Sequence, residues 1–369
     1  MTTLSTSVLS EQLRERIERE GPITFYEWMK AALYDPDHGY YCRADRNRWG
    51  REGDYRTSPE RSSLFGATFA RYLARLYEES GRPPSFAIIE CGAGDGRFAA
   101  AVLESLQTDF APVFLVTRYV IDEPSPHSKA LAKKRLHPFA ERVSFARLDD
   151  IEADFGVVFS NELLDAFPVH RVKMEAGALR EFFVDVSAEG EFTWMLAAPS
   201  SDTVAGYLAD NEVALGEGQI AEINLEIEKW FKSAASSIKA GWMITVDYGA
   251  ESSELYPASA GDPRYLGTLR SFQRHQIIDD VLSNPGEQDL TTTVNWTLVR
   301  KAGEQLGLKV VEFERQDKFL LAAGLLEQLE SESQRQQQES EKLRLSNAAL
   351  EMILPTRMGA HFQVLVQQK

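Results

Sequence analysis

The sequence predicts an α/β fold: a Rossmann-like, mostly parallel sheet with helices on both faces, an N-terminal helical extension and an inserted antiparallel β meander. Three observations carry this. From residue 86, short apolar runs alternate with helical stretches, the pattern of βαβ units joined by right-handed crossovers. The first run leads into IIECGAGDGRF (88–98), with three glycines in five positions, at the strand-to-helix junction where open sheets of this kind bind ligands. Residues 169–198 instead alternate with a period of two and carry turn signals at Glu175-Ala176-Gly177 and Glu189-Gly190, as an antiparallel meander does.

Taken in order, residues 8–20 read as a charged helix with Leu9, Leu13 and Ile17 on one face. A second helix lies in GPITFYEWMKAALYDPDHGYY, between Gly21-Pro22 and Asp35-Pro36. Residues 42–59 form an ordered loop and 62–80 a further helix. FAIIE is the first strand and 96–107 its helix. VFLVTRYVIDE holds the second strand, SPHSKALAKKRL a helix and RVSFARL the third strand. FGVVFS (155–160) is nearly all apolar, as a central parallel strand should be. After the meander a helix over 219–240 leads to a fifth strand, WMITVDYG. Two strands, LKVVEFER and HFQVLVQ, close the chain around one long polar helix at about 322–352.

The composition sets limits. The 369 residues are 43% hydrophobic and 26% charged, with two cysteines and a formal charge of −16. Two cysteines exclude a disulfide framework and a cysteine-rich zinc site, and no metal site is expected. The acidic balance opposes nucleic acid as a partner; it reads first as solubility and otherwise as tolerance of a cationic substrate. No stretch is long and apolar enough to cross a bilayer. The N-terminal segment has no apolar signal core, and its acids argue against an import presequence. A cytoplasmic protein is expected.

The glycine segment excludes two phosphate readings. Arg97 occupies the place of the last glycine of the dinucleotide fingerprint, and a P-loop would need Gly-Lys-Ser/Thr. What remains is Glu90-x-Gly92-x-Gly94-x-Gly96, which resembles motif I of class I S-adenosylmethionine-dependent methyltransferases. An acid at the strand end suits an ammonium group and would repel a pyrophosphate. Glu123, the last residue before Pro124 at the end of the next strand, is placed to hold a ribose diol, whereas Asp122 reads as a helix cap. Asp149 and Asp150 follow the third strand, either as an adenine contact or as caps. Ser160-Asn161-Glu162 ends the fourth.

The flanks sharpen the resemblance. GPITFYEWMKAALYDPDHGYY, GDYRTSPERSSLFG, SNELLDAFPVHRV, VDYG, GTLRSFQRH, PGEQDLTTTVNW and MGAHFQVL, in this order over about residues 20–367, are similar to segments of the MidA-like methyltransferase family. Tyr55 stands where that family leads one to expect Phe, and Asn295 where it leads one to expect Asp. Asp95 and Arg97 lie where relatives vary. The resemblance implies S-adenosyl-L-methionine as cofactor. It also implies a lid containing Gly53, Tyr55, Thr57 and Ser58, and a protein substrate methylated on arginine, linked to assembly of respiratory complex I. The chain then divides into a helical extension and lid (1–80) and a methyltransferase domain (81–369). That domain has a β insertion at about 169–200 and a loop-rich substrate region at about 250–300.

Orienting and deprotonating a guanidinium calls for carboxylates. Glu162 and Asp165 in NELLDA are the candidates, with Asn161 beside them and Asp247, Tyr248, His275 and Asp289 behind. His275 reads either as a general base or as a structural residue. Two other functions stay open: methylation of a small molecule on nitrogen or oxygen, and a cofactor-binding assembly factor without catalysis. The oligomeric state, monomer or homodimer, is also open.

Overall fold

The computed structural model describes residues 7–44, 62–273, 276–354 and 361–369. The chain begins with α1 (Val8–Glu20), β1 (Ile23–Thr24) and α2 (Phe25–Tyr34). A reciprocal Thr24–Glu27 capping box starts α2, satisfying two amides that the first helical turn leaves free. Then come α3 (Ser63–Glu79), β2 (Phe86–Cys91), α4 (Arg97–Asp109), α5 (Ala111–Val116), β3 (Thr117–Asp122), α6 (Pro126–Arg135), β4 (Val143–Phe145) and β5 (Ala153–Asn161). The inserted region holds β6 (His170–Glu175), β7 (Ala178–Val186), β8 (Phe192–Ala197), α7 (Asp202–Asp210) and β9 (Ile220–Ile223). The main fold resumes with α8 (Glu226–Ser236), β10 (Ile238–Ala250) and the single turn α9 (Ser252–Leu255). Next are β11 (Arg270–Gln273), β12 (Gln276–Ile277), β13 (Asp289–Thr291), β14 (Val294–Asn295) and α10 (Trp296–Gln305). The chain closes with β15 (Lys309–Arg315), α11 (Gln316–Ala322), α12 (Leu325–Arg335), α13 (Glu339–Ile353) and β16 (Phe362–Gln368).

The main sheet runs β15-β16-β10-β5-β2-β3-β4, with β14 paired to the end of β10. From β4 to β10 every pairing is parallel, and β16 is antiparallel to both its neighbours. Alternation along β2 sorts the two cores. Phe86 and Ile88 enter a cluster with α3, α4 and the C-terminal helices, while Ala87, Ile89 and Cys91 enter one with α8 and α10. The predicted doubly covered sheet is therefore what the chain builds.

The helix α3 belongs to the sheet's own helical layer. Its Phe69 ring meets Phe98 of α4 at 5.7 Å, Phe159 of β5 at 5.1 Å and Phe319 of α11 at 5.5 Å between centroids. Phe69 is fully buried, so Phe69→Ala leaves a cavity that rigid neighbours cannot refill. We expect a loss of about 3–5 kcal/mol, read in denaturant unfolding. A loss below about 1 kcal/mol would show that this contact is not structural.

Three element assignments differ from the sequence reading. VFLV is helical, not strand: α5 covers it, and β3 starts at Thr117 because its first ladder partner on β2 is Phe86. The 219–240 helix is shorter, since Ile220–Ile223 pairs with β6 and leaves only Glu226–Ser236 helical. The long helix expected at about 322–352 is two, α12 and α13, preceded by the separate α11. Gly324, at φ 95, starts α12, and Gln336 ends it in an extended conformation. Side-chain periodicity says nothing of a ladder partner or a left-handed break.

The meander forms as expected and also recruits the N-terminus. β1 pairs with β7, and Leu9, Leu13, Ile17, Phe25 and Trp28 share one core with Val169 and Val184.

Candidate active site at the sheet switch point

Chain order reverses at β2: β3 and β4 lie to one side, β5 and β10 to the other. The carboxyl ends of β2 and β5 thus diverge into a crevice. There the structure holds a cavity of about 280 Å³. Its walls include Glu90, Gly92, Gly94, Asp95 and Arg97 after β2, Glu123 after β3, and Asn161, Glu162, Leu163 and Asp165 after β5. Tyr34, Tyr41, Tyr248, Phe272, Asp289 and Thr291 close the far side.

The glycine turn is built by backbone conformation. Gly92, Gly94 and Gly96 have φ of 72°, 54° and 78°, a region costly for residues with a Cβ. A Cβ on Gly96 would also sit 3.1 Å from Ala132 of α6. Gly96 is the left-handed N-cap of α4, so the first amides of that helix, with their partial positive charge, open beside the cavity. The turn is clamped by Asp95, which binds Arg97 at 2.8 Å and Arg135 of α6 at 2.7 Å. Arg135 has no sequence signal. Only the packing of α6 brings it here.

Glu90 is buried, and the Tyr119 hydroxyl donates to it at 2.7 Å. Burial, followed by the charges of Glu123 and Asp95, pushes its pKa up to about 8, against the pull of Tyr119. Glu123 accepts the Gly94 amide on one oxygen and the Ser125 amide on the other, each at 2.8 Å. Asp122 does not cap α6; Ser125 does, while Asp122 binds the Leu148 amide on the other face of the sheet edge. Asp149 and Asp150 are exposed in the turn Leu148–Asp150 and do not line the cavity.

Glu162 has φ 51°, rare for a residue with a side chain. Such backbone states persist where the surroundings enforce them, often at functional sites; here the Glu162 amide binds the Val246 carbonyl at 2.9 Å. Its carboxylate accepts from the Asn161 side chain at 3.1 Å. Asp247 stands behind the wall. It is fully buried and does not line the cavity, and its oxygens accept the amides of Leu164 (3.0 Å), Asp165 (3.4 Å) and Tyr248 (2.9 Å). Burial, then Asp165 and Glu162, raises its pKa. Asp247 therefore shapes the turn that presents Asp165 rather than meeting a ligand.

Asn295 lies elsewhere. It caps α10 and accepts from Ser252, outside the acidic cavity, so an Asp in its place would not add charge to that cavity. Gly53, Tyr55, Thr57, Ser58 and His275 fall outside the described residues. Tyr34, Phe272 and Thr291 were missed by sequence reasoning, because no local pattern marks them.

Among the described residues, six carboxyl groups and one arginine line the cavity. Among the described residues, three buried oxygens in its wall, Asn161 Oδ1, Asp165 Oδ1 and Thr291 Oγ1, have no partner at full hydrogen-bond geometry. Acid walls and unsatisfied acceptors suit a ligand that brings positive charge and N–H or O–H donors, as S-adenosylmethionine does with its sulfonium, ammonium and ribose. Among the described residues, no group of three or more His, Cys, Asp or Glu is arranged to hold a metal ion.

A Rossmann-like sheet with a Gly-x-Gly-x-Gly turn and an acidic pocket at its switch point defines the class: a methyltransferase of the class I fold. Comparison with known proteins agrees. Residues 68–314 match the sequence profile of an S-adenosyl-L-methionine-dependent methyltransferase family, and the chain belongs to that family. It is 29% identical to the mitochondrial protein arginine methyltransferase NDUFAF7 homolog of Drosophila melanogaster, over 81% of this chain and 70% of that one. It is 27% identical to mitochondrial NDUFAF7 of Mus musculus, over 95% and 82%. A protein of Burkholderia thailandensis, solved with S-adenosyl-homocysteine bound, superposes with a TM-score of 0.85 at 29% identity, covering 98% of this chain and 92% of that one.

The chain is thus an S-adenosyl-L-methionine-dependent methyltransferase. The cytoplasmic expectation is corrected. The relatives from fly, mouse and Homo sapiens are named as mitochondrial, and that finding overturns it. No described helix is long and apolar enough to cross a membrane.

Proposed function

We propose that this methyltransferase acts on the guanidinium of an arginine in a protein, the reading carried by the excess of carboxylates in the cavity wall. The relatives named as protein arginine methyltransferases support it. Glu90, Gly92, Gly94, Gly96, Glu123 and Asn161 hold the cofactor: Glu90 its ammonium, Glu123 its ribose diol, and the glycine turn its closely approaching backbone contacts. Asp149 and Asp150 are left for an adenine edge reaching the rim. When bound, S-adenosylmethionine supplies a methyl carbon activated by positive sulfur. Glu162 and Asp165 orient the acceptor and take up its proton, so the protein contributes mainly approach geometry and electrostatics. Asp247 positions Asp165 through the backbone.

Labelling tests this reading. The purified protein, radiolabelled cofactor and lysate of cells lacking the protein should yield a labelled protein band. Its hydrolysate should contain methylated arginine. Label confined to small molecules would sink the proposal.

Glu90 gives a pH prediction with a definite sign. Its pKa is raised in the folded protein, so the neutral acid's contribution to stability is present at low pH and is lost as pH rises through about 8. A cation bound beside it favours the carboxylate, so binding releases a proton below that pH. Affinity for S-adenosylmethionine therefore rises with pH up to about 8, by at most about tenfold per unit, relative to Glu90→Gln. The comparison cancels titration of the ligand itself. Parallel calorimetric profiles for the two proteins would refute the assignment of Glu90 to the ammonium.

A further inference from the structure

Opposite the glycine turn, the cavity has a second wall with its own unsatisfied groups. Asp165 and Thr291 are about nineteen-twentieths buried, at 4% and 5% exposure. Both line the cavity, and among the described residues each carries a buried oxygen, Asp165 Oδ1 and Thr291 Oγ1, with no partner at full hydrogen-bond geometry; the Tyr248 side chain interacts with both residues. Leaving such atoms unmade costs about 1–3 kcal/mol each, so the fold retains them against its own stability. Thr291 and Asp165 come from distant parts of the chain, yet the Thr292 amide binds the Asp165 carbonyl at 2.9 Å, fixing the two side chains as neighbours.

The rest of this wall is aromatic and rigid. The Tyr34 hydroxyl donates to the Ala166 carbonyl at 3.0 Å, and the Tyr41 hydroxyl to Asp289 at 2.6 Å. Tyr248 lies against the Asp165 carboxyl. Tyrosine rings and a buried carboxylate favour a flat cation, which stacks on rings and donates in its own plane. A lysine ammonium is a strongly hydrated point charge that makes poorer use of planar walls. A hydroxyl acceptor would bring one donor for two empty acceptors.

Resting on the arginine reading above, we infer that Asp165 and Thr291, walled by Tyr34, Tyr41 and Tyr248, form the acceptor subsite. It selects a planar guanidinium over an ammonium or a neutral urea. Asp165 carries the charge recognition and Thr291 the geometric selection, since its hydroxyl accepts a second guanidinium N–H. The glycine-turn wall is left to the cofactor.

The test uses the full-length protein saturated with S-adenosylhomocysteine, whose binding is first measured by calorimetry. N-acetyl-arginine methylamide is then titrated in, with the corresponding lysine and citrulline compounds as controls. The arginine compound should bind at least about tenfold more tightly than either control, a gap of about 1.4 kcal/mol. Asp165→Asn and Thr291→Val, both close in shape to the native residues, should each remove at least that preference while leaving affinity for S-adenosylhomocysteine unchanged. Equal binding of the three compounds, no binding of any to the loaded protein, or variants that keep the preference would each overturn the inference. Failure of S-adenosylhomocysteine itself to bind would overturn the cofactor placement instead, so the two failures are distinct. Should Asp165→Asn fail to fold, Thr291→Val alone decides, because it removes a single buried oxygen and no charge.

Discussion

Glu162→Gln should leave affinity for S-adenosylmethionine within about threefold of wild type and lower methyl transfer by about 10²–10⁴-fold, the range expected for loss of a positioned proton acceptor. Glutamine keeps the shape and one carbonyl acceptor, so the Asn161 side chain can still donate as it does now at 3.1 Å. It cannot carry the charge that orients a guanidinium bidentately. The left-handed backbone at φ 51° is compatible with either side chain, so the fold is not the variable. Equilibrium binding by calorimetry and single-turnover transfer to the labelled protein separate the two effects. Equal losses in both would remove Glu162 from the catalytic role we propose and make it a binding residue.

Gly94→Val should abolish measurable cofactor binding, a loss of at least about 100-fold, or about 2.7 kcal/mol. Gly94 has φ 54°, and its amide donates to Glu123 at 2.8 Å. A β-branched residue is a genuine outlier there. Relief of that strain would move the amide, releasing the carboxylate proposed to hold the ribose and placing two methyl groups in the cavity wall. Thermal unfolding controls the result: the turn lies at the sheet's edge, so the melting transition should persist. Retained binding with an intact fold would falsify the assignment of this turn to the cofactor.

Local pattern made one half of the site legible. The glycine turn, Glu123 and the Asn161-Glu162-x-x-Asp165 segment each follow a strand directly, so strand ends could be read and their polar residues placed at one edge. The choice of Glu123 over Asp122 illustrates the method and its limit. Alternation along β3 puts neighbours on opposite sides, and Glu123 faces the glycine turn while Asp122 reaches the Leu148 amide. The reading of Asp122 as a cap failed because a serine three residues nearer the helix had the better geometry. Asp247 was placed correctly at a strand end, yet β10 is covered on both faces and the side chain points into the protein.

The sequence by itself determined the class of fold, the type of cofactor and the edge of the sheet where the candidate site lies. Those follow from periodicities and turns a few residues long, whose physics is local. The tertiary structure alone decided what else lines and braces the cavity. Tyr34 meets Ala166 across 132 residues, Tyr41 meets Asp289 across 248, and Arg135 reaches Asp95 across 40. Such pairs form because separate helices and strands bury their apolar faces against the same sheet and meander. Burial is not directional, so no pattern within either segment names its partner.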